Sequence, residues 1–204
     1  MNRKSFGKAA FGFAVVAAFL LVSCAETIPG DPQGTLKRYI TAVQEDDFKT
    51  LYELNRSTAQ QRKHLERTTI GDVEGMLEAS YRERKKAYDE HPRDLTINVQ
   101  WAEKNYFPPS SAVVYGKPNH PPAAGDDPVN AEYERANNVN VPVTVTYHDK
   151  NEALQIGGVT VREIAFVCAL TKIREGKNVR IYSHDDQWFF GSCIPEQQSI
   201  KSFE

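Results

Sequence analysis

Val139-Asn140-Val141-Pro142-Val143-Thr144-Val145-Thr146-Tyr147 is the stretch that decides the fold. Apolar and polar residues alternate through it, the period of a strand with one buried face and one wet one. Pro142 falls on the polar face, and its missing N–H predicts an edge or a bulge there. Upstream, Leu95, Ile97, Val99 and Trp101 alternate with Thr96, Asn98 and Gln100 in the same way. Downstream, Ile164, Phe166, Cys168 and Leu170 form one apolar face, while Ala165, Val167 and Ala169 make the other small and apolar. Two apolar faces predict a central strand. Turns are expected at Glu175-Gly176-Lys177-Asn178 and His184-Asp185-Asp186, with Val179 to Ser183 returning between them and Gln187 to Gly191 closing the sheet.

Before residue 92 the period is 3.6. Asp31 can cap a helix with Pro32 at its first position, and Leu36, Tyr39, Ile40 and Val43 form its apolar stripe. An aspartate of Glu45-Asp46-Asp47 can cap a second, short helix carrying Phe48, Leu51, Tyr52 and Leu54. Residues 55–68 are mostly polar and read as a frayed helix or a loop. Thr69-x-x-Asp72 has capping-box spacing, and Val73, Met76, Leu77, Ser80, Tyr81, Arg84 and Tyr88 trace the inner face of a third helix. Its stop is His91-Pro92, because the residue before a proline is pushed out of helical geometry. Residues 107–138 hold six prolines and few large apolar groups. They read as a long loop with structure limited to a short strand near 112–115. The chain therefore predicts one α+β domain over 31–204: three N-terminal helices on a curved antiparallel sheet of four to six strands.

The leader has a different grammar. Arg3, Lys4 and Lys8 precede fourteen apolar residues, Ala9 to Val22. That run is shorter than the roughly 20 residues of a membrane-spanning helix and has the order of a secretory signal. Leu21-Val22-Ser23-Cys24 resembles the bacterial lipobox, which is cut before a cysteine carrying a diacylglyceryl group. The resemblance implies a signal peptide over 1–23, Cys24 as the lipid-attachment residue with three fatty chains, and a membrane partner reached through them. Two such membrane signals already give stable anchoring. Residues 24–30 are then a short tether: seven steps to Asp31 span at most about 25 Å. Ala25 implies the periplasmic face of the outer membrane if the host is Gram-negative. Without that resemblance the same stretch is an ordinary secretory signal with an incidental cysteine.

Removing 1–23 leaves 22 Lys+Arg against 27 Asp+Glu, a formal charge of −5. This excludes the basic footprint of a nucleic-acid binder. A basic stretch, Arg82-Glu83-Arg84-Lys85-Lys86 with Arg62, Lys63 and Arg67 upstream, reads as a solvated helix face, or as a contact for anionic lipid headgroups given the short tether. With Cys24 acylated, Cys168 and Cys193 remain as two thiols in an oxidising compartment. They are either bridged or separately buried. No Cys-x-x-Cys is present.

Three helices followed by an antiparallel sheet is the order of the NTF2-like (cystatin-like) α+β fold. Thr35-Leu36-Lys37-Arg38-Tyr39-Ile40-Thr41-Ala42-Val43, with Asp46-Asp47-Phe48-Lys49-Thr50-Leu51-Tyr52 after it, resembles the opening of NTF2-like lipoproteins of uncharacterised function. Asp185-Asp186-Gln187-Trp188-Phe189-Phe190 resembles the turn that begins their last strand. The proline-rich insertion departs from that pattern. The fold implies a concave sheet facing the helices, with Tyr52, Tyr81, Trp101, Tyr147 and Phe166 as candidates for lining a pocket or simply filling the core.

Catalysis on that fold uses a carboxylate or histidine on the pocket wall. Here Asp94, His148 and Glu163 fall at strand ends, and no catalytic residue is assigned. The five histidines, His64, His91, His120, His148 and His184, share no helical i, i+4 or strand i, i+2 spacing, so no metal site and no cofactor are expected. Neither a phosphate loop nor a nucleophile elbow is present. The sequence therefore predicts a lipid-anchored, non-enzymatic cell-envelope protein that binds an envelope partner or a small apolar ligand. A pocket enzyme of the ketosteroid isomerase/dehydratase type and a periplasmic lipid carrier are the alternatives.

Overall fold

The computed structural model describes residues 28, 30–90, 105–122, 128–173 and 187–204. The signal segment, Cys24, the strand expected over 95–101 and the return expected over 179–183 lie outside them. The described chain is α+β: four helices, then an open antiparallel sheet of five strands with a fifth helix leading into its second strand.

Helix α1 (Pro32–Gln44) starts as its sequence dictates, with the Asp31 carboxylate accepting from Gly34 N at 2.8 Å. It buries Leu36, Tyr39, Ile40 and Val43. It ends in a tight reversal: Asp47 N donates to Ala42 O at 2.9 Å, and Asp46 between them has φ 57°. That is the left-handed position usually filled by glycine in a Schellman motif. Asp47 then caps α2 (Phe48–Leu54), accepting from Thr50 N at 3.2 Å. One aspartate closes a helix and the next opens another.

Residues 56–68 form a regular helix, α3 (Arg56–Thr68), where the sequence suggests a frayed segment. Asn55 caps it, accepting from Ser57 N at 2.9 Å, and only Thr58 and Ala59 are buried. An apolar stripe was the wrong thing to look for, since the cap and helix-forming Gln, Arg, Lys and Leu residues carry this helix. Thr69 ends α3, its N–H donating to Leu65 O. The capping-box expectation fails for the same reason: Asp72 itself accepts from Gly75 N at 2.7 Å at the start of α4 (Val73–Glu90). The helical half thus has four members rather than three. Of the expected inner face of α4, Leu77 and Tyr88 are buried while Met76 is 52 % exposed.

The sheet runs β1 (Ser111–Tyr115), β2 (Asn138–Tyr147), β4 (Val159–Thr171), with β3 (Gln155–Ile156) and β5 (Phe189–Ser202) both paired to β4. Val139, Val141, Val143, Val145 and Tyr147 of β2 and Ile164, Phe166, Cys168 and Leu170 of β4 face the helices, all buried. Pro142 sits where its sequence demands. In an antiparallel ladder a residue's N–H and C=O face the same neighbour, and Pro142 O accepts from Gly116 N just past the end of β1. Its absent donor therefore points to the side where β1 pairing has stopped, and the β4 ladder loses nothing. Gly157 and Gly158, with φ of 58° and 81°, make the two-residue turn from β3 into β4.

The proline-rich segment is more ordered than expected. It holds β1 and also helix α5 (Pro128–Asn137), which starts on a proline at a tolerated position. Asn137 O at its end accepts from Lys172 N and from the Thr171 hydroxyl, fixing α5 to the end of β4. The closing strand is also longer than the Gln187–Gly191 expected, running to Ser202 along β4 with register shifts at three places. Such bulges bend a strand and increase its twist.

Cys168 and Cys193 face each other across β4 and β5 as a disulfide closing 25 residues. On the chain-entropy model a loop of that size is worth about 3–4 kcal/mol. Each fully buried aliphatic side chain is worth roughly 1.5–3 kcal/mol, so the apolar face of β2 alone outweighs the bridge. Burial builds the sheet and the disulfide reinforces it. Replacing both cysteines with alanine is expected to leave the far-UV spectrum unchanged and to lower unfolding stability in urea by about 3–4 kcal/mol. A loss below about 1 kcal/mol would mean that the sulfurs are not joined in the native protein.

The Thr50 hydroxyl and N–H hold the Asp47 carboxyl below its usual value. A carboxyl lowered by folding adds stability above its unfolded value, and that contribution disappears as the pH falls through the folded one. Asp47→Asn should therefore lose thermal stability less steeply than the parent below about pH 4, as read from melting temperature against pH.

Candidate functional site

Of the five residues expected to share one pocket, four are described, two on the sheet and two on the helices. Tyr52, Tyr147 and Phe166 belong to one buried core, with Tyr81 packed against it. Trp101 lies outside the described residues. Tyr147 and Phe166 belong to the sheet layer. Phe166 packs against Tyr106 and Phe107 with ring centroids 5.0 and 5.5 Å away, and the Tyr147 hydroxyl donates to Tyr106 O at 3.0 Å. Tyr39 stacks on Phe190 at 3.8 Å, and Trp188 is buried beside them in the same core. Among the described residues, the space between helices and sheet is occupied by these rings. Tyr106 and Phe107 were missed in the sequence, although two aromatics directly before Pro108-Pro109 were the available signal.

Tyr52 and Tyr81 form the second group, on the helices. Phe48, Tyr52, Tyr81 and Tyr88 meet through α2 and α4, with Tyr52 and Tyr81 edge to face at 5.2 Å and Phe48 against Tyr88 at 5.1 Å. The Arg84 guanidinium lies 5.8 Å over the Tyr52 ring and donates to Gln61 Oε1 at 3.1 Å and Thr58 Oγ1 at 3.3 Å. Two depressions meet at Tyr52. One of about 280 Å³ reaches Ala59, Ile173 and Phe189, and one of about 260 Å³ reaches Leu77 and Tyr81. The Tyr52 hydroxyl is buried and has no hydrogen-bond partner among the described residues. A buried hydroxyl left so costs stability.

The carboxylates and histidines weighed from the sequence are dispersed. Asp94 lies outside the described residues, and His148 is exposed just past β2. Glu163 is inside β4 rather than at its end, because the strand begins four residues earlier, and it pairs with Lys201 of β5. Sequence reasoning missed the pair of Asp46 and Tyr88: the phenol donates to Asp46 Oδ1 at 2.8 Å. Burial, then this bond, pushes the Tyr88 hydroxyl well above its usual value, so it stays a proton-bearing donor through neutral pH. Asp46 also borders a depression of about 320 Å³ formed with Pro108, Asn151 and Leu154. Its left-handed backbone already has a structural explanation in the helix reversal. Among the described residues no three His, Cys, Asp or Glu converge as a metal site, and no helix is long and apolar enough to cross a membrane.

The two phenols make opposite predictions. Tyr88→Phe removes a bond to a carboxylate and should cost roughly 1.5–3 kcal/mol. Tyr52→Phe removes a hydroxyl with no partner and should be neutral or stabilising by up to about 1 kcal/mol. Urea unfolding of both variants separates the two effects. A Tyr52→Phe loss matching that of Tyr88→Phe would mean that Tyr52 has a bonded partner in solution.

Comparison of the chain with protein-family models, curated proteins and solved structures finds no match.

Proposed function

We propose that this is a lipid-anchored cell-envelope protein whose NTF2-like domain is a non-enzymatic binding module for an envelope partner. The signal segment and Cys24 supply the address, and the order of helices before antiparallel sheet supports the fold family. One observation carries the binding reading. The inward side chains of β2 and β4 are buried in the core, while the outward face keeps apolar side chains at the surface. Val114 and Ile194 are 66 % and 65 % exposed, and register joins Ile194 to Val167 and Val167 to Pro142 across three strands. Exposed apolar residues in contiguous positions mark interaction surfaces more often than isolated ones do. A small amphipathic ligand at Tyr52 is the second reading, supported by its buried hydroxyl and the two depressions beside it.

Two substitutions test the proposal in cells. Cys24→Ser should move the protein from the membrane fraction to the soluble one, and continued firm retention would overturn the anchor. A photo-crosslinker at position 194 should give one discrete adduct that Val167→Glu abolishes, without loss of the folded protein. Adducts that survive Val167→Glu unchanged would remove the outer sheet face as the interface.

A further inference from the structure

The basic residues of this acidic chain are sorted by the fold into two unequal sets. On α4, Lys85 pairs with Asp89 at 2.6 Å, Lys86 with Glu90 at 3.8 Å and Arg82 with Glu78 at 4.0 Å, all one helical turn apart. Arg84 of the same helix is turned onto Thr58, Gln61 and the Tyr52 ring. Arg62 of α3 reaches across to Glu74 at 3.3 Å. Three of the four cations in the run that looked most basic in the sequence are therefore paired with acids one turn away.

The opposite side of α3 differs. Arg56, Lys63, His64 and Arg67 recur at helical spacing along it and line a groove of about 430 Å³ whose other wall is Asn138, Thr171 and Lys172. Lys172 is held there with its ammonium 5.1 Å over the Trp188 ring. Among the described residues the groove has one carboxylate, Glu134, which accepts from the side-chain amide of Asn138. Arg56, His64 and Arg67 of one helix thus share one concave surface with a single acid among the described residues.

We propose that this groove binds an extended polyanion, a ligand bearing two or more phosphate or carboxylate groups. Arg56 and Arg67 are three turns apart, about 16 Å along the helix. A lone phosphate cannot reach both, whereas a chain of anionic groups can engage each guanidinium in paired hydrogen bonds. The site does not depend on the lipid anchor or on the outer sheet face. Its ligand chemistry is shared by soluble polyanions and by anionic lipid headgroups.

The test is calorimetric titration of the full chain with short-chain inorganic polyphosphate, using orthophosphate as the single-charge control. Polyphosphate should bind saturably and at least tenfold more tightly than orthophosphate. The exposed double substitution Arg56→Gln with Arg67→Gln should weaken it by tenfold or more, a factor that corresponds to 1.4 kcal/mol. Arg82→Gln with Lys86→Gln should change it less than twofold. Equal weakening by both pairs, or no saturable binding, overturns the site. Vesicles of phosphatidylcholine with and without phosphatidylglycerol then identify the source. A gain on the anionic vesicles that Arg56→Gln with Arg67→Gln removes assigns a headgroup, and polyphosphate binding without that gain assigns a soluble polyanion.

Discussion

The whole structure depends on the burial of one strand on both edges. Val159–Thr171 pairs with β2 along one side and β5 along the other, and its alternate residues Ile164, Phe166, Cys168 and Leu170 form the floor on which the helices pack. Remove that floor and α1 loses the surface that buries Leu36, Tyr39 and Ile40. The disulfide joins the same strand to β5, and α5 is tied to its end through Asn137.

Legibility in the sequence followed the strength of burial. The strands β2 and β4 and the helices α1 and α2 were readable because each buries a periodic face, the signal that sequence carries best, while α4 was readable by its pattern although only Leu77 and Tyr88 of it are buried. Helices α3 and α5 were not: α3 buries only Thr58 and Ala59, and α5 opens on a proline within a proline-rich run. A cap, a proline at the first turn and neighbouring polar contacts decide them, and those signals are local and weak. The length of β5 was hidden for a further reason. Pro195 and the polar run beyond it break any alternation, and only the second edge of β4 extends the strand to Ser202. The aromatics of the expected pocket could be found by type, but type does not say which layer a ring joins.

The turn at Asp46 shows how a strained residue is held by elements on both sides. A non-glycine residue at φ 57° is tolerated best when it is aspartate or asparagine. Here the position also hands its carboxylate to Tyr88 of α4. Glycine would relax the backbone and lose that bond. Aspartate keeps a modest local strain and ties the α1–α2 reversal to the far end of the fourth helix, so local conformation and tertiary packing are resolved by one side chain.

Charge is distributed by the same logic of position over composition. A formal net charge of −2 describes the average surface and says little about any face of it. Ion pairs one turn apart are individually weak, roughly 0.3–0.5 kcal/mol, so the pairs on α4 contribute little to stability. Their larger effect is on the field, because each acid cancels the cation beside it within a screening length of about 8 Å. On α3 the acids stand elsewhere. Glu74 draws Arg62 toward α4, and Glu66 lines the neighbouring depression, leaving the groove side to Arg56, His64 and Arg67. A folded acidic protein can thus present a basic concavity that its sequence order conceals: adjacency along the chain made 82–86 look basic, and helical geometry brings Arg56 and Arg67, eleven positions apart, onto one groove.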